Sequence, residues 1–274
     1  MSTHSYSEKK FSKVERLPPR RKAMTQASHW PSLKVLIEII LKEVGPIKGS
    51  WLLLRTFLWD MKYNKPPWRP DWFDFKDEAD EKAFRETFEE LVFLIVLFNN
   101  LKKKYGEFLA DEITAKIALP FGLPHIFVVL KPGTRVRNVH EIRQLMSDFL
   151  GDQNRFDWTE EISEDESVLR YHFTKCTYIM VLMAYGMKSY AAYDCMADHV
   201  AIDCVLGRDV IFSRNYTIAN GDGFCDHTFR MRTSPNDRKE ESDYGDCGKV
   251  KFGARDHIQH WKEILKRSDA RFNC

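Results

Sequence analysis

The chain has 274 residues, 43% of them hydrophobic, which is enough to bury a full core and excludes global disorder. Lys and Arg number 42 against 40 Asp and Glu, a formal charge of +2, so charge supplies no general drive toward nucleic acid or an anionic membrane. Six cysteines without a C-x-x-C pair are too sparse for a disulfide scaffold and point to a reducing, cytoplasmic setting.

The first 28 residues are basic, carry a Pro pair and lack the apolar region of a secretory signal, and so read as a disordered tail. Apolar spacing of three and four then recurs in "WPSLKVLIEIILKEVG", in "KGSWLLLRTFLWDMKYN" and from Glu78 to Tyr105, which predicts helices. The most apolar stretch, Leu91 to Phe98, is far shorter than the roughly 20 residues that cross a bilayer, so no membrane insertion is expected. Between the helical stretches, the prolines of "NKPPWRPDWFDF" rule out a regular helix, and its aromatics need cover. It reads as an ordered loop packed on the domain or lining a pocket, with a lid as the alternative. "EFLADEITAKIAL" predicts a helix stopped by "PFGLPH", and "VHEIRQLMSDFLG" another closed by Gly151.

After Gly151 the period changes to two. "RFDWTEEIS" and "SVLRYHFTKC" read as one antiparallel pair, "VIFSRNYTIA" and "FCDHTFRMR" as a second around "NGDG", with helices "TYIMVLMAYGM" and "SYAAYDCMADHVAID" between them. The fold class is α+β: a mostly helical N-terminal half packed with a small antiparallel sheet in the order strand, strand, helix, helix, strand, strand. The expected organisation is a tail over residues 1–28, a single domain over 29–232, and a charged segment with a last amphipathic helix, "ARDHIQHWKEILKR", over 233–274.

Chemistry concentrates in two places. On a helix over 189–203, positions four apart share a face, so Asp194 lies beside Asp198 and Cys195 beside His199. Neighbouring carboxylates raise one another's proton affinity, and a thiol beside an imidazole can ionise; the plain alternative is a small buried Cys and solvated carboxylates. In "FCDHTFRMR", alternation sends Cys225, His227, Phe229 and Met231 to one face and Asp226, Thr228, Arg230 and Arg232 to the other. His227 then either has a structural partner in the core or faces a cavity. His172, Cys176, Cys195, His199, Cys225 and His227 are zinc-ligand types, but their spacings match no structural zinc site, so no metal and no cofactor is expected.

Taken in order, "YHFTKCTY", "YGMKSYAAYDCMADHVAI" and "IFSRNYTIANGDGFCDHTFR" resemble the L-2-amino-thiazoline-4-carboxylic acid hydrolase family. The resemblance rests on Cys176 closing a strand, Gly186 after a helix, the C-x-x-D of Cys195 and Asp198, the R-x-x-T of Arg214 and Thr217, and the Gly-Asp turn at Gly221 and Asp222 entering Cys225 and Asp226. It covers about residues 155–232. One departure is local: the family commonly follows Cys-Asp with Phe and Arg, whereas His227 and Thr228 intervene here.

The resemblance implies hydrolytic opening of a five-membered ring at an amidine-like carbon, giving an N-carbamoyl amino acid. That chemistry needs an acid, an activated nucleophile and a grip on the carboxylate. Cys225 as nucleophile or water-orienting group, His227 as its base, Asp198 as acid and Arg214 as carboxylate anchor would meet those needs, with Cys176 as a second nucleophile candidate and Asp226 among the catalytic candidates; the resemblance points to the residues and not to their individual jobs. Cys195, His199, Tyr216 and Arg230 are the remaining substrate-binding candidates. The expected partner is a small-molecule substrate, not nucleic acid, and homo-oligomerisation is left open. Two alternatives stand beside this reading: a recruited cyclase or isomerase of specialised metabolism acting on a larger apolar intermediate, drawn from the Met and aromatic side chains of "YIMVLMAYGM" and the Trp-rich loop, and a ligand-binding module without turnover.

Overall fold

A computed structural model describes residues 10–16, 30–71, 74–131, 133–151, 154–234, 236–239, 243–245, 259, 262, 263, 265 and 266. The helical half comes first. Helices α1 (Trp30–Val44) and α2 (Pro46–Arg55) meet at Gly45, α2 runs through a π turn (Thr56–Asp60) into α3 (Met61–Tyr63), and α4 (Glu78–Tyr105) and α5 (Glu107–Val129) join at Gly106. Helix α6 (Val139–Leu150) leads into the sheet half. The long helix α4 has signals at both ends: the Asp77 carboxylate accepts from Asp80 N, acids fill its first turn, three lysines fill its last, and Gly106 leaves it at φ 86°. Helix α6 is capped by Asn138, which accepts from Glu141 N, while Glu141 accepts from Arg137 N just before the cap, and it ends at Gly151 as the sequence predicts.

Helix α5 overturns one expectation. It continues through Pro120 and Pro124 to Val129 instead of stopping at "PFGLPH". The helix is clamped along its length between α1, α4, α8 and α9, and packing of this extent outweighs the local cost of proline.

The sheet consists of β1 (Phe11–Val14), β2 (Phe156–Ser163), β3 (Val168–Cys176), β4 (Val210–Ser213) and β5 (Cys225–Met231), in the order β1-β2-β3-β5-β4 with every neighbouring pair antiparallel. Strand β1 corrects the reading of residues 1–28 as a disordered tail: residues 11–14 pair with Glu160–Ser163. Arg16 next to it lies over the Trp158 ring at 4.0 Å, and Phe11 is covered by Arg170, so a basic composition is used here for stacking. One face of the sheet, with Trp158, Leu169, Tyr171, Phe173, Phe212 and Phe229, joins the helical core. The other carries ionic pairs such as Arg170 with Glu161. The buried Arg143–Glu160 pair, also touched by Trp158 Nε1, ties α6 to β2.

The Trp-rich loop packs on the domain, with Trp68 beside Phe75 and Phe75 edge-on to Phe84 at 5.3 Å. Among the described residues no helix is long and apolar enough to cross a membrane. Cys204 is disulfide-bonded, which departs from the expectation of uniformly reduced thiols, whereas Cys176, Cys195 and Cys225 are free. Its partner lies outside the described residues. A cysteine count cannot anticipate one bond, because pairing depends on proximity in space.

Candidate functional site

Between β3 and β4 the chain forms α7 (Thr177–Ala184), α8 (Lys188–Cys195) and α9 (Ala197–Leu206). The single helix expected over 189–203 is therefore two, broken at Met196, whose N–H turns back three residues to Tyr193 O. The break has a partner. Arg214, 1% exposed, donates from Nη2 to the Cys195 carbonyl at 2.6 Å and from Nη1 to Asp198 Oδ2 at 2.8 Å, so one guanidinium bridges both sides of the interruption. Helix α5 closes the other side. A Cβ on Gly122 would stand 2.6 Å from Asp194 Oδ1 and 3.4 Å from Ala197 Cβ, so glycine is what lets α5 approach this close.

The stretch expected as a plain hairpin around "NGDG" is more elaborate. Strand β4 ends at Ser213, and residues 214–224 form an excursion containing a 3-10 turn (Ile218–Asn220) and a left-handed Gly221 at φ 92°. Its own side chains hold it. Asp226 Oδ1 accepts from Asn215 N and Tyr216 N at 2.8 and 2.6 Å, Asp222 accepts from Thr217 N, and the Cys225 sulfur accepts from Ile218 N and donates to Thr217 Oγ1. Asp, Asn and Thr compete with ladder formation by such local bonds. Short polar side chains in a glycine-punctuated turn were the available signal.

The excursion delivers Arg214 to the inner face. There its Nη1 also lies 3.2 Å from His227 Nε2, and His227 Nε2 is 4.0 Å from Asp198 Oδ2. Arginine has donors only, so this contact is a hydrogen bond when Nε2 carries the lone pair, which puts the imidazole proton on Nδ1. The His227 ring is packed between Phe173 and Phe212, at 4.8 and 5.5 Å.

Around this ion pair the remaining groups resist ionisation. Burial pushes the Cys176 thiol up to about 12 despite nearby N–H groups at the start of α7. It raises Cys195 and Cys225 too, against the pull of Arg214. Burial, reinforced by the charge of Asp198, holds the Asp194 carboxyl well above the usual carboxylate range. Among the described residues Asp194 Oδ1 has no hydrogen-bond partner. Tyr178 and Tyr190 are raised in the same way, burial first and Asp194 contributing.

Asp194, Cys176, Cys195 and Tyr178 are deeply surrounded by protein, yet each keeps part of its surface accessible. Asp198 is the most open of the ionic set, its side chain 24% exposed.

The residues singled out from the sequence thus separate. Asp198, Arg214 and His227 come together, and Cys176, Cys195 and Cys225 share their electrostatic surroundings. Asp226 faces away from His227 and anchors the excursion, with a carboxyl raised by burial over the opposing N–H bonds. Tyr216 is exposed and stacks on Phe224, and Arg230 forms a fork with Asp237. Asp194 was visible in the sequence through its spacing to Asp198, but its burial beside Gly122 was not.

His199 belongs to a second cluster. It is fully buried between Phe212 and Tyr244, with Nδ1 3.0 Å from Lys239 Nζ. Lys239, Lys262 and the Tyr244 hydroxyl all reach the Asp203 carboxylate. Among the described residues no group of three or more His, Cys, Asp and Glu side chains is arranged to hold a metal ion.

No curated protein and no solved structure matches the chain significantly. A family match covers residues 85–229, more than half of the chain. It begins in α4, well upstream of the stretch that carries the resemblance in sequence, and takes in α5, α6, both helices at the Met196 break and β5 up to Phe229. The chain belongs to the L-2-amino-thiazoline-4-carboxylic acid hydrolase family.

Proposed function

We propose that the protein is a hydrolase that adds water across the C=N carbon of a small cyclic amidine or imine, in a recess beside the Met196 break. The observation that carries this reading is a pair of carboxyls on the two sides of the Met196 break in different surroundings. Burial and the charge of Asp198 raise the Asp194 carboxyl well above the usual range, while Asp198 is held by the Arg214 guanidinium and partly open to solvent. Two carboxyls driven apart in this way divide into acid and base.

In the proposed reaction Asp194 protonates the ring nitrogen, which makes the amidine carbon electrophilic. Asp198 takes a proton from water, and the water oxygen bonds to that carbon. The ring bond from that carbon to its heteroatom then breaks, the leaving heteroatom receives the proton held on Asp198, and the hydroxyl proton passes back to Asp194 as the carbonyl forms. Arg214 already serves Asp198, the Cys195 carbonyl and His227, so its role here is to position these groups instead of gripping the substrate carboxylate. The raised thiols support proton-donor or shape roles over a resting thiolate nucleophile, and Cys225 is engaged with Thr217 and Ile218. Of the aromatics of the Trp-rich loop that favoured a larger apolar substrate, Trp68 packs beside Phe75 and Phe75 on Phe84.

The test is turnover of cyclic amidines and imines, with product mass reporting the gain of one water. Asp198→Asn is expected to lose about 10²–10⁴-fold in rate, and Asp194→Asn to lose the limb of the pH profile that reports the acid. Cys225→Ala should lose less than Asp198→Asn. Full activity in Asp198→Asn, or a complete loss confined to Cys225→Ala, overturns the carboxyl-pair mechanism, and absence of turnover of this substrate class by the wild type overturns the reading itself.

A further inference from the structure

The segment Pro46–Tyr63 is an amphipathic helix turned inside out. Its protein-facing positions are Gly49, Leu52, Thr56 and Asp60, spaced three or four apart, and two of the four are polar. They are held firmly. Asn100 on α4 donates to Thr56 Oγ1 at 2.9 Å and to Asp60 Oδ2 at 3.0 Å, Arg55 pairs with Asp60, and a Cβ on Gly49 would lie only 3.0 Å from Ile40 O on α1. The π turn keeps Thr56 and Asp60 in line beneath Asn100.

The opposite side carries the large apolar residues. Ile47 is 85% exposed, Trp51 60%, Phe57 69% and Leu58 61%, with Leu54 and Trp59 also more than half open or at that limit. Soluble surfaces rarely display so many contiguous large apolar groups, and such a display marks a contact surface. Its charges tell what it contacts. Lys48, Arg55 and Lys62 are exposed on the same segment, while its sole acid, Asp60, is fully buried.

Trp, Phe and Leu beside Lys and Arg, with Tyr63 at the end, is the composition of a helix lying in the plane of a lipid interface. A second copy of the same face would bring the cations of one segment toward those of the other with no acid of the segment between them. A lipid headgroup layer of negative charge complements them. The near-neutral charge of the whole chain, from which no membrane partner is expected, averages this local arrangement away.

We infer that Pro46–Tyr63 docks the protein on an anionic membrane surface, without spanning it. The test is sedimentation of the full chain with phosphatidylcholine vesicles, with and without about 30% phosphatidylserine, together with sedimentation velocity of the protein alone. Wild type is expected to bind the anionic vesicles with a blue shift in Trp emission. Trp51→Ser/Phe57→Ser/Leu58→Ser should lower the partition coefficient by about a hundredfold or more. Lys48→Glu/Lys62→Glu should lower it about tenfold on anionic vesicles and little on neutral ones. These positions are exposed, and unchanged circular dichroism and melting show that the variants remain folded. Failure of the wild type to bind either vesicle overturns the inference. So does a wild-type dimer that the triple variant abolishes while vesicle binding is absent, which would assign the face to a second copy.

Discussion

Two ionic clusters flank the Phe212 ring, and they use burial in opposite ways. On one side lie His227, Arg214 and Asp198, and on the other His199, Lys239 and Asp203. In the Asp203 cluster, burial pushes the carboxyl up, but Lys239, Lys262 and His199 outweigh it and leave Asp203 below the usual range. Burial lowers Lys239 despite Asp203 and Asp243. Positive and negative groups are matched there, and the cluster ties the chain after Thr233 to α9, outside the region of the family match. In the Asp198 cluster the matching is incomplete: one guanidinium serves Asp198, while burial raises the Asp194 carboxyl. A balanced buried cluster acts as a clamp, whereas an unbalanced one keeps protons available for transfer.

The largest effect should come from unbalancing the clamp. Asp203→Ala leaves two buried ammonium groups short of a partner and is expected to cost about 3–5 kcal/mol of stability, measured by urea unfolding. Arg214→Lys breaks the fork on the other side. A single ammonium cannot serve Asp198, the Cys195 carbonyl and His227 together, so the loss should be about 2 kcal/mol in the same assay. Asp194→Asn, by contrast, replaces a carboxyl whose ionisation burial already opposes by a neutral group of the same shape and should change stability by about 1 kcal/mol or less. An Asp194→Asn loss as large as that of Asp203→Ala would show that the two clusters do not differ in the way described.

The pH dependence sharpens the contrast, because the two carboxyls have opposite signs. Asp203 has a folded pKa below the unfolded value of about 3.9, so its contribution is present above that pH and is lost as pH falls through the lowered folded value. Asp194 has a folded pKa above the unfolded one. Between the two values the folded state holds more protons, so stability declines as pH rises across that window and then levels. Unfolding curves should lose the declining limb in Asp194→Asn and the acid-side loss in Asp203→Asn. The smallest effect is chemical. With Cys176 near 12 and Cys195 and Cys225 also raised, alkylation by iodoacetamide should stay slow at neutral pH and still be climbing above pH 9, at about the ordinary thiol range. A plateau below neutrality at any of the three would contradict protonated thiols.

Much of the helical half was legible because it depends on local signals. The boundaries of α4 follow from Asp77, the lysines of its last turn and Gly106, and α6 has its Asn138 cap. What misled was equally local. Two prolines announce a stop in α5, and the apolar periodicity of 189–203 announces an unbroken helix, yet neighbours 16 or more residues away decide both outcomes. At the site, Asp198, Arg214 and His227 were identifiable as residue types in a recognisable order. Alternation already sets Asp226 on the face opposite His227, but His199 and Tyr216 looked equivalent to the site residues, and only the packing of His199 on Tyr244 and the excursion of 214–224 set them apart.

By itself the amino-acid sequence determined the α+β class, the order of its main helices and strands, the family and the face of β5 that carries Cys225 and His227, since periodicity and capping act over a few residues. The tertiary structure decided the rest: that Arg214 bridges a helix break, that Asp194 is buried against Gly122, that residues 11–14 join the sheet, and that α2 turns its apolar side outward. Each of these is a contact between segments far apart in the chain, and the free energy that selects it comes from burial and ion pairing that no local window contains.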